Sequence, residues 1–440
     1  MQRMIENNVI NKAGMLMPGH LITKTVDIHH YPEPEKNDEI SEITVGDLHG
    51  NALNLLHYLL SHSLCELSKE NYERIVALYN LPESELTSEP IAEFNHLIAD
   101  LKVLDHQTLV RLLGDELGDR GKNDYFVLKI LEILHKNGLK FEILLSNHGM
   151  AFIDAYESFS HSGRLDSNLI VDYQRTSLRN LDSLIQQGIV SYDEVYGIIN
   201  RHYKPKLKLL AYSLNKDGKE ITIYSHAKID LKVIAALADL FEVVYRDDTH
   251  QELALTIQQI NLNFAEAVQE EEVHFITSIR DFPWVYSKLS SNPVEFILWN
   301  RDHQVLSRPS SHPTYSYCLK FIHGHDPIEE SNEHLITLDN MLGKGEDYHQ
   351  HEARVYVSND VQILPYQLSR NHDDDLSSES EDSDVFTEES DCESTDESSN
   401  PSTQESRQTI PLNSIFYRSN IPSVEDFSEH PELAFEALKF

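Results

Sequence analysis

Glu42-Ile43-Thr44-Val45-Gly46-Asp47-Leu48-His49-Gly50-Asn51 decides the fold: a short β-branched run stops at a glycine and delivers an aspartate and a histidine two residues apart. The same order returns twice. Thr108-Leu109-Val110-Arg111-Leu112-Leu113 runs into Gly114-Asp115-Glu116-Leu117-Gly118-Asp119-Arg120-Gly121, and Phe141-Glu142-Ile143-Leu144-Leu145 runs into Ser146-Asn147-His148-Gly149. Short apolar runs punctuated by glycine read as strands, so three strands offer polar side chains at one edge.

Outward from the first motif, Ala52 to Leu60 has helical spacing, which makes strand, loop and helix a first βα unit with its helix N-terminus toward the site. Between the first two motifs, helical patterns over Tyr72 to Tyr79 and Ile91 to Leu104 flank the turn-rich Leu81-Pro82-Glu83-Ser84, which predicts an inserted helical hairpin. Tyr125 to Leu134 reads as a helix stopped by Asn137-Gly138. Alternating strands and helices predict an α/β sheet with its ligands at the carboxyl ends of the strands. Residues 151–205, with Leu178, Leu181 and Ile185 on one face, suit a helical cap over that edge. Ile221 to Tyr224 is the next strand, ending at Ser225-His226-Ala227, and a helical stretch runs from Ala235 to Val244. Then come the segment Phe296-Ile297-Leu298-Trp299-Asn300-Arg301 and the run Tyr317 to Ile322, which ends at His323-Gly324-His325-Asp326-Pro327. Late strands are expected over His334 to Leu338 and Ala353 to Leu364.

Composition limits what such a site can serve. The chain has 440 residues and a formal net charge of -37, so no basic stripe is available for nucleic acid, and anionic lipid is excluded as well. Its three cysteines are far apart and form neither a disulfide framework nor a Cys-x-x-Cys zinc site, which points to a reducing, cytoplasmic compartment. The N-terminal run Ala13 to Met17 is broken by Pro18, Gly19 and His20, so no signal peptide is expected. No apolar run approaches the roughly 18 residues of a membrane span. Asn371 to Asn400 holds thirteen acidic residues and no lysine or arginine, too little apolar surface to fold. This acidic tail is expected to be disordered, with its Ser-x-x-Glu patterns open to phosphorylation or to a binding partner.

The strand ends carry carboxylate, imidazole and amide groups at Asp47, His49, Asp115, Asn147, His226 and His325. Oxygen and nitrogen donors without thiolate suit first-row divalent ions, manganese first, with iron or zinc as alternatives. Two ions about 3.5 to 4 Å apart can acidify a shared water and clamp a phosphoryl group, with Asp115 the natural bridge. Arg120 and Arg301 suit the phosphate oxygens, and His148 can protonate the leaving oxygen if a carboxylate such as Asp119 holds its other nitrogen.

Gly46-Asp47-Leu48-His49-Gly50, Gly114-Asp115 with Asp119-Arg120-Gly121, and Asn147-His148 resemble the three signature motifs of the phosphoprotein phosphatase type of calcineurin-like metallophosphatases. His226 resembles the strand-end histidine of that family's His-Gly-Gly motif, and Gly324-His325-Asp326-Pro327 resembles the Gly-His-Thr-Pro of its bacterial members. Leu298 to Arg301 is similar to the segment carrying their second phosphate-binding arginine, and Ile336 to Asn340 to the segment after the last ligand. The resemblance implies a β-sandwich flanked by helices, a dinuclear metal site and hydrolysis of phosphomonoesters on phosphoproteins, serine and threonine esters ahead of tyrosine. The insertion and acidic tail are similar to the Wip-type effector phosphatases that bacterial pathogens inject into host cells, which implies secretion. A hydrolase of dinucleoside polyphosphates shares these motifs, and a catalytically inactive binding module of the same fold is the third reading.

On this basis residues 1–40 are an extension, 41–365 the phosphatase domain with an insertion at 61–107 and a cap at 151–205, 366–407 a disordered acidic linker and 408–440 a C-terminal tail. Departures from the family pattern stand out. The two aspartates of the second motif are four residues apart rather than three, so one extra residue is expected to bulge out. Gly149 replaces the usual acid after the histidine, Ala227 replaces a glycine, and His323 competes with His325 for the last ligand position.

Overall fold

The computed structural model describes residues 19–35, 40–216, 219–280, 282–327, 332–359 and 361–362. The chain divides into two units; all described residues belong to the first, 1–367. The expectations for the linker at 366–407 and for the tail at 408–440 lie outside the described residues.

In chain order, β1 (Gly19–Asp27) and β2 (Glu42–Val45) lead into α1 (Ala52–Ser61). The insertion holds β3 (Cys65–Glu66), α2 (Lys69–Tyr79), α3 (Ser88–Ile98) and β4 (Lys102–Val103), with β3 and β4 paired antiparallel. Next come β5 (Leu109–Leu112), α4 (Asp124–Lys136) and β6 (Lys140–Leu144). α5 (Asn147–Ser162), α6 (Thr176–Gln186) and α7 (Tyr192–Ile198) occupy the stretch read as a cap. The second half holds β7 (Leu207–Lys208), β8 (Ala211–Asn215), β9 (Glu220–Ser225), α8 (Leu231–Leu240), α9 (His250–Gln269), α10 (Val273–Ser278) and α11 (Pro293–Trp299). β10 (Cys318–His323), β11 (Leu335–Thr337), β12 (Gln350–Ser358) and β13 (Val361–Gln362) complete it.

Two sheets form a sandwich. The larger runs β1-β12-β2-β5-β6-β7, with β2, β5, β6 and β7 parallel; the smaller runs β11-β10-β9-β8-β13, with β11, β10 and β9 parallel. Parallel order lines up the strand carboxyl ends that carry the motifs. Leu113, Leu144 and Tyr356 meet Ala211, Tyr224 and Ile322 between the sheets. The same interface buries an ion network. Arg111 donates from Nε to Glu142 (2.6 Å) and from Nη1 to Glu42 (3.1 Å) and Thr44 (3.2 Å), and its guanidinium lies 3.9 Å from the centroid of the Tyr224 ring. A cation there is tolerable only because carboxylates and a π-face surround it.

Side-chain caps start the helices that lead away from the strand ends. Asn51 accepts from the amides of Leu53 (3.0 Å) and Asn54 (3.2 Å) at α1, Ser146 from Gly149 at α5, and Asp230 from Lys232 and Val233 at α8. Each cap satisfies amides that have no partner inside the helix. α1 is buried from Ala52 to Leu60, as its run of leucines requires. Among the described residues no helix is long and apolar enough to cross a membrane.

Several elements differ from the sequence reading. Within residues 1–40, read as an extension, β1 pairs with β12 along nine residues as an edge strand; its mostly exposed, polar face hides it from a hydrophobicity pattern. The run Ala353 to Leu364 is not one strand: β12 belongs to the larger sheet and β13 to the smaller, so the chain changes sheets between them. The helix expected from Ala235 begins earlier, at Leu231 behind its Asp230 cap, and Val244 is exposed past its end. Phe296 to Trp299 lies in α11, which Asn292 caps and Pro293 starts.

Candidate metal centre

Each sequence motif ends at the same edge because its strand stops there. Three of the six non-glycine residues with positive φ among the described residues are His49 (56°), Asp115 (54°) and His325 (63°). Such backbone costs about 1 to 3 kcal/mol per residue, and it collects at sites where the surrounding fold imposes it. Two glycines allow the close approach. A Cβ on Gly324 would sit 2.0 Å from Asp47 Oδ1, and one on Gly114 would sit 2.8 Å from His226 Nδ1.

The six candidate ligands are buried and lie together. His226 Nε2 stands 2.8 Å from Asn147 Oδ1 and 3.6 Å from Asp115 Oδ1, while its Nδ1 is 2.9 Å from the Leu113 carbonyl. The amide of His325 donates to both Asp47 oxygens, at 3.2 and 3.0 Å, and its ring centroid is 4.9 Å from that of His226. His49 Nδ1 is 3.2 Å from Asp119 Oδ2, and its Nε2 is 2.8 Å from the Asn340 carbonyl. Ser146 ties the second and third motifs, its Oγ accepting from the amides of Asp115 (2.9 Å) and Gly149 (2.8 Å).

Two three-residue groups have ligand atoms within 4.8 Å of one another: Asp47, Asp115 and His226, and His49, Asp115 and Asp119. Asp115 belongs to both. These residues fit divalent cations on the evidence of their own electrostatics. Burial raises the Asp47 carboxyl well above its ordinary value, and the charges of Asp339 and Asp115 push the same way. Burial raises Asp339 too, against the pull of His49. Asp115 Oδ1 and Asp339 Oδ1 are buried without a hydrogen-bond partner. Burial would raise Asp115 too, but His148 and His226 hold it below its ordinary value; Asp47 and Asp339 lack enough counter-charge of that kind, which bound cations would supply. Burial lowers His226 and, much further, His325, where His226 and Arg301 add to the effect; neutral imidazole is the form that ligates metal.

Asp119 touches more of the candidate site residues than expected. Burial would raise its carboxyl, but His148, His49 and Arg120 hold it below the usual range. It accepts from Arg120 Nη1 at 2.7 Å, and its Oδ1 lies 3.4 Å from His148 Nε2. The nitrogen of His148 opposite that carboxylate is held by a backbone group, the Gly118 carbonyl, 2.8 Å from Nδ1, rather than by a side-chain acid. Arg120 is a quarter exposed. Arg301 is exposed and donates from Nε to His325 Nε2 at 3.2 Å, so the second arginine also reaches the site.

The extra residue of the second motif does not bulge into solvent. Glu116 and Leu117 are buried, Gly118 turns at φ 70°, and its amide donates to the Asp124 carboxylate. The Glu116 carboxyl, pushed up to about 8 by burial, accepts from Tyr203 Oη at 2.5 Å and lies 3.6 Å from where a Cβ on Gly149 would be. The added acid of the second motif therefore stands beside the position where the third motif lacks one.

Asp339 escaped the sequence reading as a site residue. It follows β11, is almost wholly buried, and places Oδ1 3.6 Å from His49 Nε2. Its signal was the recurring order of strand followed by aspartate, in a segment where no histidine accompanies it. A third group, Asp27, His29 and His349, also brings ligand atoms together, but its imidazoles stack at 4.4 Å and 4°, which aims their nitrogens in parallel rather than at one point.

Residues 109–344 match the family profile described as WipA-like, phosphatase domain. Among solved structures, the chain is similar to the crystal structure of the phosphatase domain from the Legionella effector WipB, with 36% identity over 65% of this chain and 100% of that one, at a TM-score of 0.59. Comparison with curated proteins gives no match.

Proposed function

The chain belongs to the WipA-like phosphatase family, and from that premise we propose that this phosphatase is a dinuclear metalloenzyme acting on phosphoproteins. The observation that carries the reading is the pair of buried ligand groups sharing Asp115. Asp47, Asp115 and His226, with Asn147 and His325 adjoining, would hold one cation; His49, Asp115 and Asp119 would hold the other. Manganese fits the oxygen-rich, thiolate-free donor set, with iron or zinc as the other first-row candidates. When bound, the cations supply Lewis-acid polarisation of the phosphoryl group and an acidified water as nucleophile.

The chain's own side chains do the rest. Arg120, braced by Asp119, and Arg301 bind the phosphate oxygens. His148 donates a proton from Nε2 to the leaving oxygen, with its Nδ1–H held by the Gly118 carbonyl so that the ring faces the site. A retained acid matters most for alkyl leaving groups, which favours serine and threonine esters over tyrosine. The similarity to a Legionella effector domain extends the proposal to delivery into a host cell. Turnover of phosphoserine, phosphothreonine and phosphotyrosine peptides against dinucleoside polyphosphates, with manganese added, tests the substrate class. Faster turnover of the dinucleotides overturns it, and no turnover of any ester with metal bound leaves only a binding module.

A further inference from the structure

A cleft of about 580 Å³ opens beside Arg120, a size suited to a ligand rather than to scattered water. Its walls include Tyr79 and Asn80 of the insertion, Arg120 and Lys122, Asn180 of α6, and Glu346 before β12. The tripeptide Arg120-Gly121-Lys122 is clamped. The Lys122 amide donates to Tyr79 Oη at 3.0 Å, Asn180 Nδ2 donates to the Lys122 carbonyl at 2.6 Å, and both the amide and the hydroxyl of Ser177 donate to the Asp119 carbonyl at 2.9 Å. Gly121 lies so close to the first motif that a Cβ there would be 1.7 Å from the Gly50 carbonyl oxygen. The main chain that carries two cationic side chains is thus fixed on one cleft wall.

Only one of them has a task in hydrolysis. Arg120 is assigned to phosphate; Lys122, about a quarter exposed, forms an ion pair with Glu346, which is four-fifths exposed. Such a pair is worth about 0 to 1 kcal/mol, so another carboxylate can replace Glu346 at little cost. Successive residues of an extended peptide are about 3.3 to 3.6 Å apart, which puts the side chain one or two positions from a phosphate on Arg120 within reach of Lys122. Glu83 lines the cleft too and opposes an anionic peptide there; the chain's more distant acidic groups do so weakly, because screening acts over about 8 Å at physiological salt.

We propose that this cleft binds the substrate segment flanking the phosphorylated residue, and that Lys122 selects an acidic side chain within two positions of it, displacing Glu346. The inference rests on the phosphoprotein reading. It also gives the insertion a role, since Tyr79 fixes the loop that presents both cations.

The test uses the full chain with manganese and one phosphoserine peptide made with Asp, Ala or Lys at the flanking positions, alongside para-nitrophenyl phosphate. Efficiency is expected to fall from Asp through Ala to Lys, by about tenfold from first to last for attraction exchanged for repulsion at an exposed site. Lys122→Met should flatten that order while hydrolysis of para-nitrophenyl phosphate stays unchanged. Glu346→Gln, which frees Lys122, should lower KM for the Asp peptide and leave the Lys peptide unimproved. Equal efficiency on all three peptides, or an equal loss on peptide and aryl phosphate in Lys122→Met, overturns the proposal while the phosphoprotein reading stands. Turnover of the aryl phosphate without turnover of any peptide overturns that reading and this inference with it.

Discussion

Replacing Arg111 with methionine removes the cation between the two sheets and leaves Glu42 and Glu142 facing each other in a buried space. Arg111 is 1% exposed, and its partners are 6% and 5% exposed, so water cannot replace the lost charge. Breaking a buried pair in this way costs about 3 to 5 kcal/mol. Lys208 remains bonded to Glu142, which favours the low end. At a urea slope of about 3 kcal/mol per M, the unfolding midpoint should drop by about 1 M or more. The loss should also depend on pH in a definite direction. Burial would raise the Glu142 carboxyl, but Arg111 and Lys208 bring it from 4.5 down to about 2. A depressed carboxyl stabilises the fold above its unfolded value and loses that contribution as pH falls from 4.5 toward 2, a swing of about 3 kcal/mol at roughly 1.4 kcal/mol per unit. In Arg111→Met that swing shrinks, so the gap between variant and parent should narrow on acidification. Urea titrations in chelator at pH 7 and pH 3.5 keep metal release out of the comparison. A difference below about 1 kcal/mol, or one of equal size at both pH values, refutes the assignment of the network as a paired, low-dielectric ion cluster.

Other outcomes follow from the site. His148→Asn should slow phosphoserine peptide turnover by about 10²- to 10⁴-fold while para-nitrophenyl phosphate, whose leaving group needs no proton, changes far less; equal losses on both would make His148 a positioning group. Asp339→Asn should weaken manganese binding by about 10- to 100-fold, followed as the metal-dependent rise in melting temperature, because its buried Oδ1 borders His49; unchanged affinity would remove it from the centre. Deleting residues 371–400 should leave hydrolysis of para-nitrophenyl phosphate unchanged, since a sequence with thirteen acidic residues and so few apolar ones offers little surface to bury, and a large fall in turnover would make it part of the enzyme.

The strand ends were legible because each couples a short apolar run to a glycine and a polar ligand within a few residues, as in Val45 to His49 and Leu112 to Asp115. Local chemistry of that kind survives in sequence. What it hid depends on partners far along the chain. Asp339 lies 290 positions from His49 and reaches it only because β11 joins the end of the smaller sheet. β1 is polar enough to read as a linker, yet pairing with β12 supplies the hydrogen bonds its composition does not advertise. β12 and β13 were expected as one strand; the polar Ser358-Asn359-Asp360, where the first ends and the second begins, is the signal that marks the change of sheet. One extra residue between Asp115 and Asp119 was expected to bulge out; Gly118 and the Asp124 carboxylate instead fold that loop inward, where the Glu116 carboxyl accepts from Tyr203. The twenty-residue α9 was legible and was not predicted: Leu253, Ile257, Ile260 and Phe264 recur at helical spacing among glutamines and asparagines.

The shared carboxylate is the centre of the account, and metal content tests it most directly. Plasma mass spectrometry on the chain loaded with manganese and freed of excess by gel filtration should find two ions per chain, and Asp115→Asn should retain at most one with turnover abolished and the melting temperature of the metal-free protein little changed. A single ion in the unmodified chain, or two ions and near-normal turnover in Asp115→Asn, would contradict it.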